Sequence, residues 1–154
     1  MDMLEGLKNI LDESGDRENP QAGEMKEIMD TVRSIAVVGI SRNPEKAARR
    51  VPSYLATKGY EVIPVNPHVD EILGKKAKDS LAEVTDPVDM VLVFRPSEEA
   101  ALIAEAAMAR PERPVIWLQE EIRADEVAAR ARAQGIRMIQ DLCIYKVHKA
   151  LPGA

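Results

Sequence analysis

From residue 34 onward, short apolar runs alternate with longer stretches in which apolar residues recur at helical spacing. The apolar runs occupy residues 35–38, 62–65, 90–94, 115–118 and 136–139, and the helical stretches occupy 51–58, 97–109, 124–134 and 144–151. A short run that is apolar throughout indicates a strand buried on both faces. Strands that alternate with helices pair in parallel through right-handed crossovers. The pattern therefore predicts a Rossmann-like three-layer α/β/α fold with a parallel sheet of about five strands.

Glycine and proline residues mark where several of these elements begin and end. Pro52 falls near the first turn of the helix predicted at 51–58, and Gly59 follows its last residue. Pro64 cannot donate a hydrogen bond to a sheet, so we expect the strand at 62–65 to lie at an edge or to end there. Ser97 is placed to cap the helix that follows it. The segment 72–84 is less regular and predicts a short strand and one helical turn.

The first 33 residues predict a helical arm that precedes the Rossmann-like domain at 34–154. One helical face carries Met3, Leu4, Leu7, Ile10 and Leu11, and a later one carries Met25, Ile28, Met29 and Val32. The polar segment SGDRENPQAG, rich in turn residues, separates the two. We expect the arm to pack on the domain, with a partner-binding helix as the alternative.

Composition and charge narrow the function. A chain of 154 residues fits one ordinary domain, and its 3% aromatic content requires a core of aliphatic side chains. The net charge of −5 argues against a partner among nucleic acids or membrane surfaces. No apolar run approaches the roughly 20 residues of a membrane helix, and the acidic N-terminal segment does not resemble a signal peptide. We therefore expect a cytoplasmic location.

Few residues are available for metal or redox chemistry. Cys143 is the only cysteine, which excludes an intramolecular disulfide and a cysteine-based zinc site. With only His68 and His148 besides it, no metal site is expected. We interpret Cys143 as a small buried hydrophobic residue, with a redox role for its thiol as the alternative. His148 is interpreted as a packing or surface residue. A phosphate contact from His68 stays open. The pair at 120–121 is interpreted as charge at a helix start, with acid–base work as the alternative.

The loop after the first strand carries the strongest functional signal. Gly39 ends that strand, and Ser41 and Asn43 offer small polar groups before a helix N-terminus, where anions bind readily. Between Ser41 and residue 50 the basic residues are Arg42, Lys46, Arg49 and Arg50, and the acidic one is Glu45. That local excess of positive charge in an acidic chain predicts a phosphate-bearing ligand.

The same loop lacks the signatures of the commonest nucleotide sites. A dinucleotide-binding loop reads G-x-G-x-x-G and is followed by an acidic residue at the end of the second strand. Here Gly39 is the only glycine of the loop, and the second strand ends in Val65, Asn66 and Pro67. No G-x-x-x-x-G-K-[ST] loop is present either. An NAD(P)-dependent oxidoreductase remains an alternative, but the missing glycines and the missing acidic residue argue against it.

Several segments together resemble the stand-alone coenzyme-A-binding proteins, whose domain is related to the nucleotide-binding part of the succinyl-CoA synthetase alpha subunit. The resemblance covers residues 35–151 and rests on IAVVGISRNPEKAARRVPSYLATKGYEVIPVNP, ILGKKAKDSLAEV, VDMVLVFRPSE, VIWLQ and GIRMIQDLCIYKVHKAL. This chain departs from the pattern at Ala47 and Ala48, where relatives often carry bulkier or polar residues. Neither histidine matches the phosphorylated histidine of the synthetases.

The resemblance implies a set of ligand-binding positions. By its pattern, the first loop surrounds the pyrophosphate and the phosphorylated ribose, the second lies beside the adenosine, and two more follow later strands. The matching residues are Gly39, Ser41, Arg42, Lys46 and Arg50 in the first loop, Val65, Asn66 and Pro67 in the second, and Phe94, Arg95, Pro96, Leu118 and Gln119 in the later ones.

The sequence and the resemblance together predict a protein that binds coenzyme A or an acyl-CoA through the basic loop. No set of nucleophile, base and orienting group is recognisable, so we expect a non-catalytic binding or regulatory protein. An interaction module that reports acyl-CoA to an unidentified protein partner is a further alternative.

Overall fold

The computed structural model describes residues 2–154 and contains a sheet of five parallel strands. The described residues form the strands β1 (Ser34–Val38), β2 (Glu61–Val65), β3 (Glu71–Ile72), β4 (Lys75–Lys76), β5 (Met90–Val93), β6 (Val115–Leu118) and β7 (Met138–Ile139). The order in the five-stranded sheet is β2-β1-β5-β6-β7. The short strands β3 and β4 form a separate antiparallel hairpin. Because β2 and β5 lie on opposite sides of β1, the strand order reverses between β1 and β5.

Helices cover both faces of this sheet. They are α1 (Glu5–Leu11), α2 (Ala22–Thr31), α3 (Ala47–Thr57), α4 (Ser97–Met108), α5 (Asp125–Ala133) and α6 (Ile144–Lys149), and Leu81–Glu83 forms a 3-10 turn. Alternate strand residues supply two separate cores: Val37 and Leu92 pack with α1, α2, α3 and α6, whereas Ala36 and Val91 pack with α4 and α5. The predicted three-layer α/β/α architecture is confirmed.

The N-terminal helices contribute directly to one of these cores. Leu7 of α1 and Met25 and Ile28 of α2 are fully buried in the same cluster as Ile35 of β1. Met1, which the predicted arm included, lies outside the described residues. The division of the chain at residue 34 stays a prediction.

Several boundaries differ from the sequence-based expectation. Helix α3 begins at Ala47, four residues before the predicted start at 51, because alanine and arginine favour helices without adding apolar periodicity. The last strand covers only Met138–Ile139 of the predicted 136–139. Segment 72–84 contains part of the hairpin and the 3-10 turn.

The prediction for Pro64 is confirmed, whereas the prediction for Ser97 is wrong. Pro64 lies in β2, which is an edge strand of the five-stranded sheet, as predicted. The prediction that Ser97 caps α4 is wrong: Pro96 occupies the cap position, and Ser97 is the first helical residue. The Ser97 hydroxyl accepts a hydrogen bond from the backbone N–H of Arg123 at 3.2 Å instead, which connects α4 to the segment before α5.

Candidate functional site

A cleft of about 590 Å³ opens at the carboxyl ends of β1, β2 and β5, where the strand order reverses. Ligands of open α/β sheets bind at such switch points, and drug-sized ligands occupy clefts of comparable volume. The lining residues are Val38, Gly39, Val65, Asn66, Pro67, His68, Asp79, Ser80, Leu81, Ala82, Arg95, Glu99, Leu102, Ile103 and Ala106. The predicted positions Gly39, Val65, Asn66, Pro67 and Arg95 therefore come together in one cavity.

Gly39 sits where the backbone of the first loop passes close to the loop after β5. Its φ of +88° lies in the left-handed region, which disfavours any residue with a side chain. A Cβ atom placed on Gly39 would lie 2.7 Å from Cδ of Arg95 and 3.0 Å from the carbonyl oxygen of Phe94. Both the backbone conformation and the available space thus require glycine here.

The loop that follows is ordered by its own small polar side chains. The Ser41 hydroxyl accepts a hydrogen bond from the backbone N–H of Asn43 at 3.0 Å, and the Asn43 side-chain oxygen accepts one from Glu45 at 3.0 Å. The backbone N–H of Lys46 then donates to the Asn43 carbonyl at 3.1 Å. Such local bonds are the usual reason that serine and asparagine favour turns. They give the loop a defined shape while Arg42, Lys46 and Arg50 remain exposed and Arg49 is half-buried.

A proline inside α3 connects this loop to the helix. Pro52 has no N–H, so the carbonyl of Ala48, four residues earlier, lacks its usual helical partner. The backbone N–H of Ser41 donates to that carbonyl at 3.1 Å and replaces the missing bond. The helix and the loop are therefore joined by a hydrogen bond that the proline makes available.

Asn66 joins the loops after β1 and β2. Its side-chain amide donates to the carbonyl of Ile40 at 2.7 Å, and its side-chain oxygen accepts from the backbone N–H of His68 at 2.8 Å. Its backbone N–H donates to the carbonyl of Lys78 at 2.8 Å, which holds the chain beyond the hairpin against the end of β2. Asn66 thus fixes the relative position of three segments that border the cleft.

The basic side chains of the first loop differ in how they are engaged. Within residues 2–154, Arg42, Lys46 and Arg49 form no salt bridge, and Arg42 and Lys46 are exposed. Arg50 donates to the carbonyl of Glu45, a bond within the loop. The loop therefore presents cationic groups to solvent beside the cleft.

Arg95 is engaged differently, through a bidentate ion pair. Its Nε and its second terminal nitrogen donate to the two carboxylate oxygens of Glu99 at 2.7 Å and 3.0 Å. These bonds raise the pKa of Arg95 and lower the pKa of Glu99. Both side chains line the cleft.

The remaining predicted positions lie beside the cleft or away from it. Phe94 is half-buried, and Pro96 is exposed before α4. Leu118 is buried in the core, and the Gln119 side chain accepts a hydrogen bond from the backbone N–H of Ile144 at 2.8 Å, at the start of α6. A ligand contact from these four residues, and from Ser41, Arg42, Lys46 and Arg50, stays a prediction.

Sequence reasoning missed the wall of the cleft formed by α4 and the 3-10 turn. Leu102, Ile103 and Ala106 of α4 and Leu81 and Ala82 of the turn line this side. Leu102 is a large aliphatic side chain that is 69% exposed. An apolar residue outside the buried stripe of α4 was the available signal.

Of the residues considered for other chemistry, His68 lines the cleft, whereas Cys143, His148 and the pair at 120–121 lie away from it. Cys143 is half-buried and lies directly before α6. His148 is buried, and its Nδ1 lies 2.6 Å from the Tyr54 hydroxyl, as expected for a packing residue. Burial lowers the pKa of His148, and the positive charge of Lys58 adds to this effect. The placement of residues 120–121 at a helix start is wrong, because they form a turn and α5 begins at Asp125.

The family is decided by comparison with known proteins. Residues 33–149 match the family model described as a CoA binding domain. The chain belongs to this family. It is 40% identical over 131 residues to the uncharacterized protein YneT of Bacillus subtilis, covering 85% of this chain and 96% of that protein.

Two further proteins are similar to this chain, one in its solved structure and one in part of its sequence. The solved structure of cell-free ID.343 from Thermus thermophilus is similar with a TM-score of 0.76 and 35% identity, covering 82% of this chain and 96% of that one. A stretch of 68 residues is 34% identical to acetate–CoA ligase [ADP-forming] II of Archaeoglobus fulgidus, covering 43% of this chain and 10% of the ligase.

The described part of the chain offers neither a metal cluster nor a membrane span. Within residues 2–154, no group of three or more histidine, cysteine, aspartate or glutamate side chains is arranged to hold a metal ion. Over the same residues, no helix combines the length and the apolar character needed to cross a membrane.

Proposed function

We propose that this protein binds coenzyme A or an acyl-CoA, with the phosphates on the loop 41–50 and the adenosine in the adjoining cleft. The observation that carries the proposal is a group of cationic side chains that form no salt bridge within residues 2–154, on a loop anchored at the strand-order switch point: Arg42, Lys46, Arg49 and Arg50. Membership of the CoA binding domain family supports the same ligand.

The charges of the ligand and of the loop are complementary. Coenzyme A has a pyrophosphate and a 3′-phosphate, which together carry about four negative charges near neutral pH. Arginine contacts phosphate through two parallel N–H groups, and lysine acts as a point charge. Since the chain has a net charge of −5, a tetra-anionic ligand requires such a local excess of positive charge.

The cleft supplies an apolar environment beside these charges. Val65 and Pro67 form one side, and Leu81 and Leu102 belong to the facing wall. A planar adenine ring fits between apolar surfaces of this kind, with a few polar groups fixing its orientation. Both side-chain ends of Asn66 are already hydrogen-bonded to backbone, so we assign Asn66 the role of shaping the cleft.

We further propose a binding or regulatory role in place of thioester synthesis. The similarity to the Archaeoglobus fulgidus acetate–CoA ligase extends over only 10% of that enzyme. Purified protein incubated with succinate, coenzyme A and ATP is expected to form no thioester. Product that depends on this protein would contradict the binding role.

Ligand preference is tested by thermal unfolding with matched concentrations of coenzyme A, NAD and NADP. A ligand at a hundred times its dissociation constant stabilises the folded state by about 2.7 kcal/mol. We expect coenzyme A to raise the melting temperature and the two dinucleotides to change it little. A larger shift with NAD or NADP would favour an oxidoreductase and contradict the proposed function.

A further inference from the structure

Arg95 lies at the edge of the cleft, between the loop after β1 and helix α4. It follows β5 at the point where the strand order reverses, and its side-chain methylenes lie over the space that a Cβ of Gly39 would fill, 2.7 Å from Cδ. Its guanidinium is turned toward α4 and meets Glu99 at 2.7 Å and 3.0 Å. The side chain therefore spans from the start of the basic loop to the wall formed by α4.

The ion pair that holds Arg95 there is exposed to solvent. The side chains of Arg95 and Glu99 are 45% and 53% exposed. Exposed pairs contribute little to stability because water solvates both charges. Replacing the Glu99 carboxylate by another oxyanion therefore loses little free energy. The guanidinium can bind a carboxylate or a phosphate through two parallel hydrogen bonds.

Charge gives Glu99 a second effect on an anionic ligand. Its carboxylate lines the same cleft as Gly39 and Arg95, so it neutralises the one arginine among the lining residues and repels incoming phosphate. Glu98 precedes it on α4, lies outside the cleft, and forms no salt bridge within residues 2–154. The two neighbouring carboxylates thus differ in their relation to Arg95.

We propose that Glu99 holds Arg95 in a competing ion pair, and that a phosphate group of the ligand displaces Glu99 to take its place on the guanidinium. This inference rests on the proposed function: it assigns a phosphate group to Arg95, one of the positions that the resemblance implies, and adds Glu99 as a residue that limits affinity.

The test compares Glu99→Gln with Glu98→Gln by calorimetric titration with coenzyme A. Both variants remove one negative charge from the first turn of α4, so their general electrostatic effects match. We expect Glu99→Gln to bind coenzyme A about two- to fivefold more tightly than Glu98→Gln, which corresponds to the strength of an exposed ion pair. Thermal unfolding of both variants confirms that each is folded.

A double-mutant cycle separates an effect through Arg95 from a direct effect on the ligand. We expect the gain from Glu99→Gln to disappear in the Arg95→Gln background, because no guanidinium is left to release. A gain that persists there, or equal affinities for Glu99→Gln and Glu98→Gln, overturns the inference while the proposed function stands. If the unsubstituted protein fails to bind coenzyme A, the proposed function fails and the inference with it.

Discussion

Two regions of the molecule use arginine in opposite ways. Beyond the end of α4, Arg110 is largely buried, pairs with Glu112 at 2.7 Å, and donates to the carbonyls of Leu81, Val84 and Asp86 at 3.2, 2.9 and 3.0 Å. In the loop 41–50, none of the four cations forms a salt bridge within the described residues. The first arrangement uses the donors of the arginine within the fold, and the second leaves them for a ligand.

Charges that stabilise the fold can thus be separated from charges that are available to a ligand by the partners they have in the unliganded protein. Arg110 holds the segment 81–86 against the end of α4, and Glu112 is also bonded to the backbone N–H of Val88 at 3.0 Å. Removing one member leaves buried partners unsatisfied, which is costly. Removing an exposed cation leaves the fold almost unchanged and affects only what the cation binds.

The largest expected effect is on stability, at Arg110. Arg110→Ala leaves Glu112 and three carbonyl groups without their donor, and we expect a loss of about 2–4 kcal/mol in the free energy of unfolding. Chemical denaturation measures this loss. The matched control is Arg17→Ala, which removes an exposed arginine without a salt bridge in residues 2–154, and its effect should stay within about 0.5 kcal/mol. Equal stability of the two variants would remove the distinction between the regions.

In contrast, Arg50→Ala should lower the affinity for coenzyme A and leave the free energy of unfolding almost unchanged. We expect coenzyme A affinity to fall roughly ten- to a hundredfold, as for the loss of one charge-assisted contact of about 1.5–3 kcal/mol. Part of that loss reflects the hydrogen bond from Arg50 to the Glu45 carbonyl, which shapes the loop. Calorimetry with coenzyme A and dephospho-coenzyme A measures both affinities, and we expect dephospho-coenzyme A to bind the unsubstituted protein more weakly.

The Arg17→Ala variant is again the control, because it changes net charge by the same amount outside the loop. Binding should also weaken as salt rises, since the contacts are electrostatic. Identical affinities of the unsubstituted protein and Arg50→Ala for both ligands would mean that Arg50 contributes no phosphate contact.

A third test concerns the close approach at Gly39. Gly39→Ala and Gly59→Ala both place a side chain at positive φ, at +88° and +94°, which costs about 1–2 kcal/mol each. A Cβ at Gly59 meets nothing within 4 Å, whereas one at Gly39 meets Arg95. We therefore expect Gly39→Ala to be the less stable in thermal unfolding and to lose coenzyme A affinity. Equal losses in the two variants would show that Arg95 moves aside freely.

The smallest effect is a pH dependence carried by His148. Tyr54 of α3 bonds its Nδ1 at 2.6 Å, Tyr60 packs beside it, and burial together with Lys58 lowers its pKa below the usual 6.5, opposed by Asp30. A histidine with a lowered pKa binds protons less readily when folded, so its contribution is present above pH 6.5 and is lost as pH falls through its folded pKa.

We expect the melting temperature to fall between pH 7.5 and 5.5 in the unsubstituted protein and to change less in His148→Gln. Glu112 and Asp125 are carboxylates with lowered pKa values, so they lose their contributions to the free energy of unfolding only at lower pH. They therefore do not affect the melting temperature between pH 7.5 and 5.5. Parallel curves for the two proteins would show that His148 does not titrate in it.

Most of the fold could be predicted because buried parallel strands are apolar throughout, as in Met90–Val93 and Val115–Leu118. The start of α3 could not, since its first turn is held partly by the Ser41-to-Ala48 bond, which depends on the loop. Ser97 was misassigned because its hydroxyl bonds to Arg123, 26 residues away. Long-range hydrogen bonds of this kind leave no local sequence pattern.

The candidate site was predictable where it follows strands and not where helices approach it. Gly39, Asn66 and Arg95 come directly after strands, so topology places them together. Leu102 reaches the cleft from the middle of α4, and this requires knowing how α4 crosses the sheet. Gln119 also follows a strand, yet its side chain is bonded to the start of α6.

We propose that the cations of the loop 41–50 bind the phosphates of coenzyme A. A crystal structure of the protein grown with saturating coenzyme A would show whether they do. We expect the pyrophosphate within hydrogen-bond distance of this loop and the adenosine beside Val65 and Pro67. Coenzyme A bound on another surface, with the loop 41–50 and the cleft empty, would contradict it.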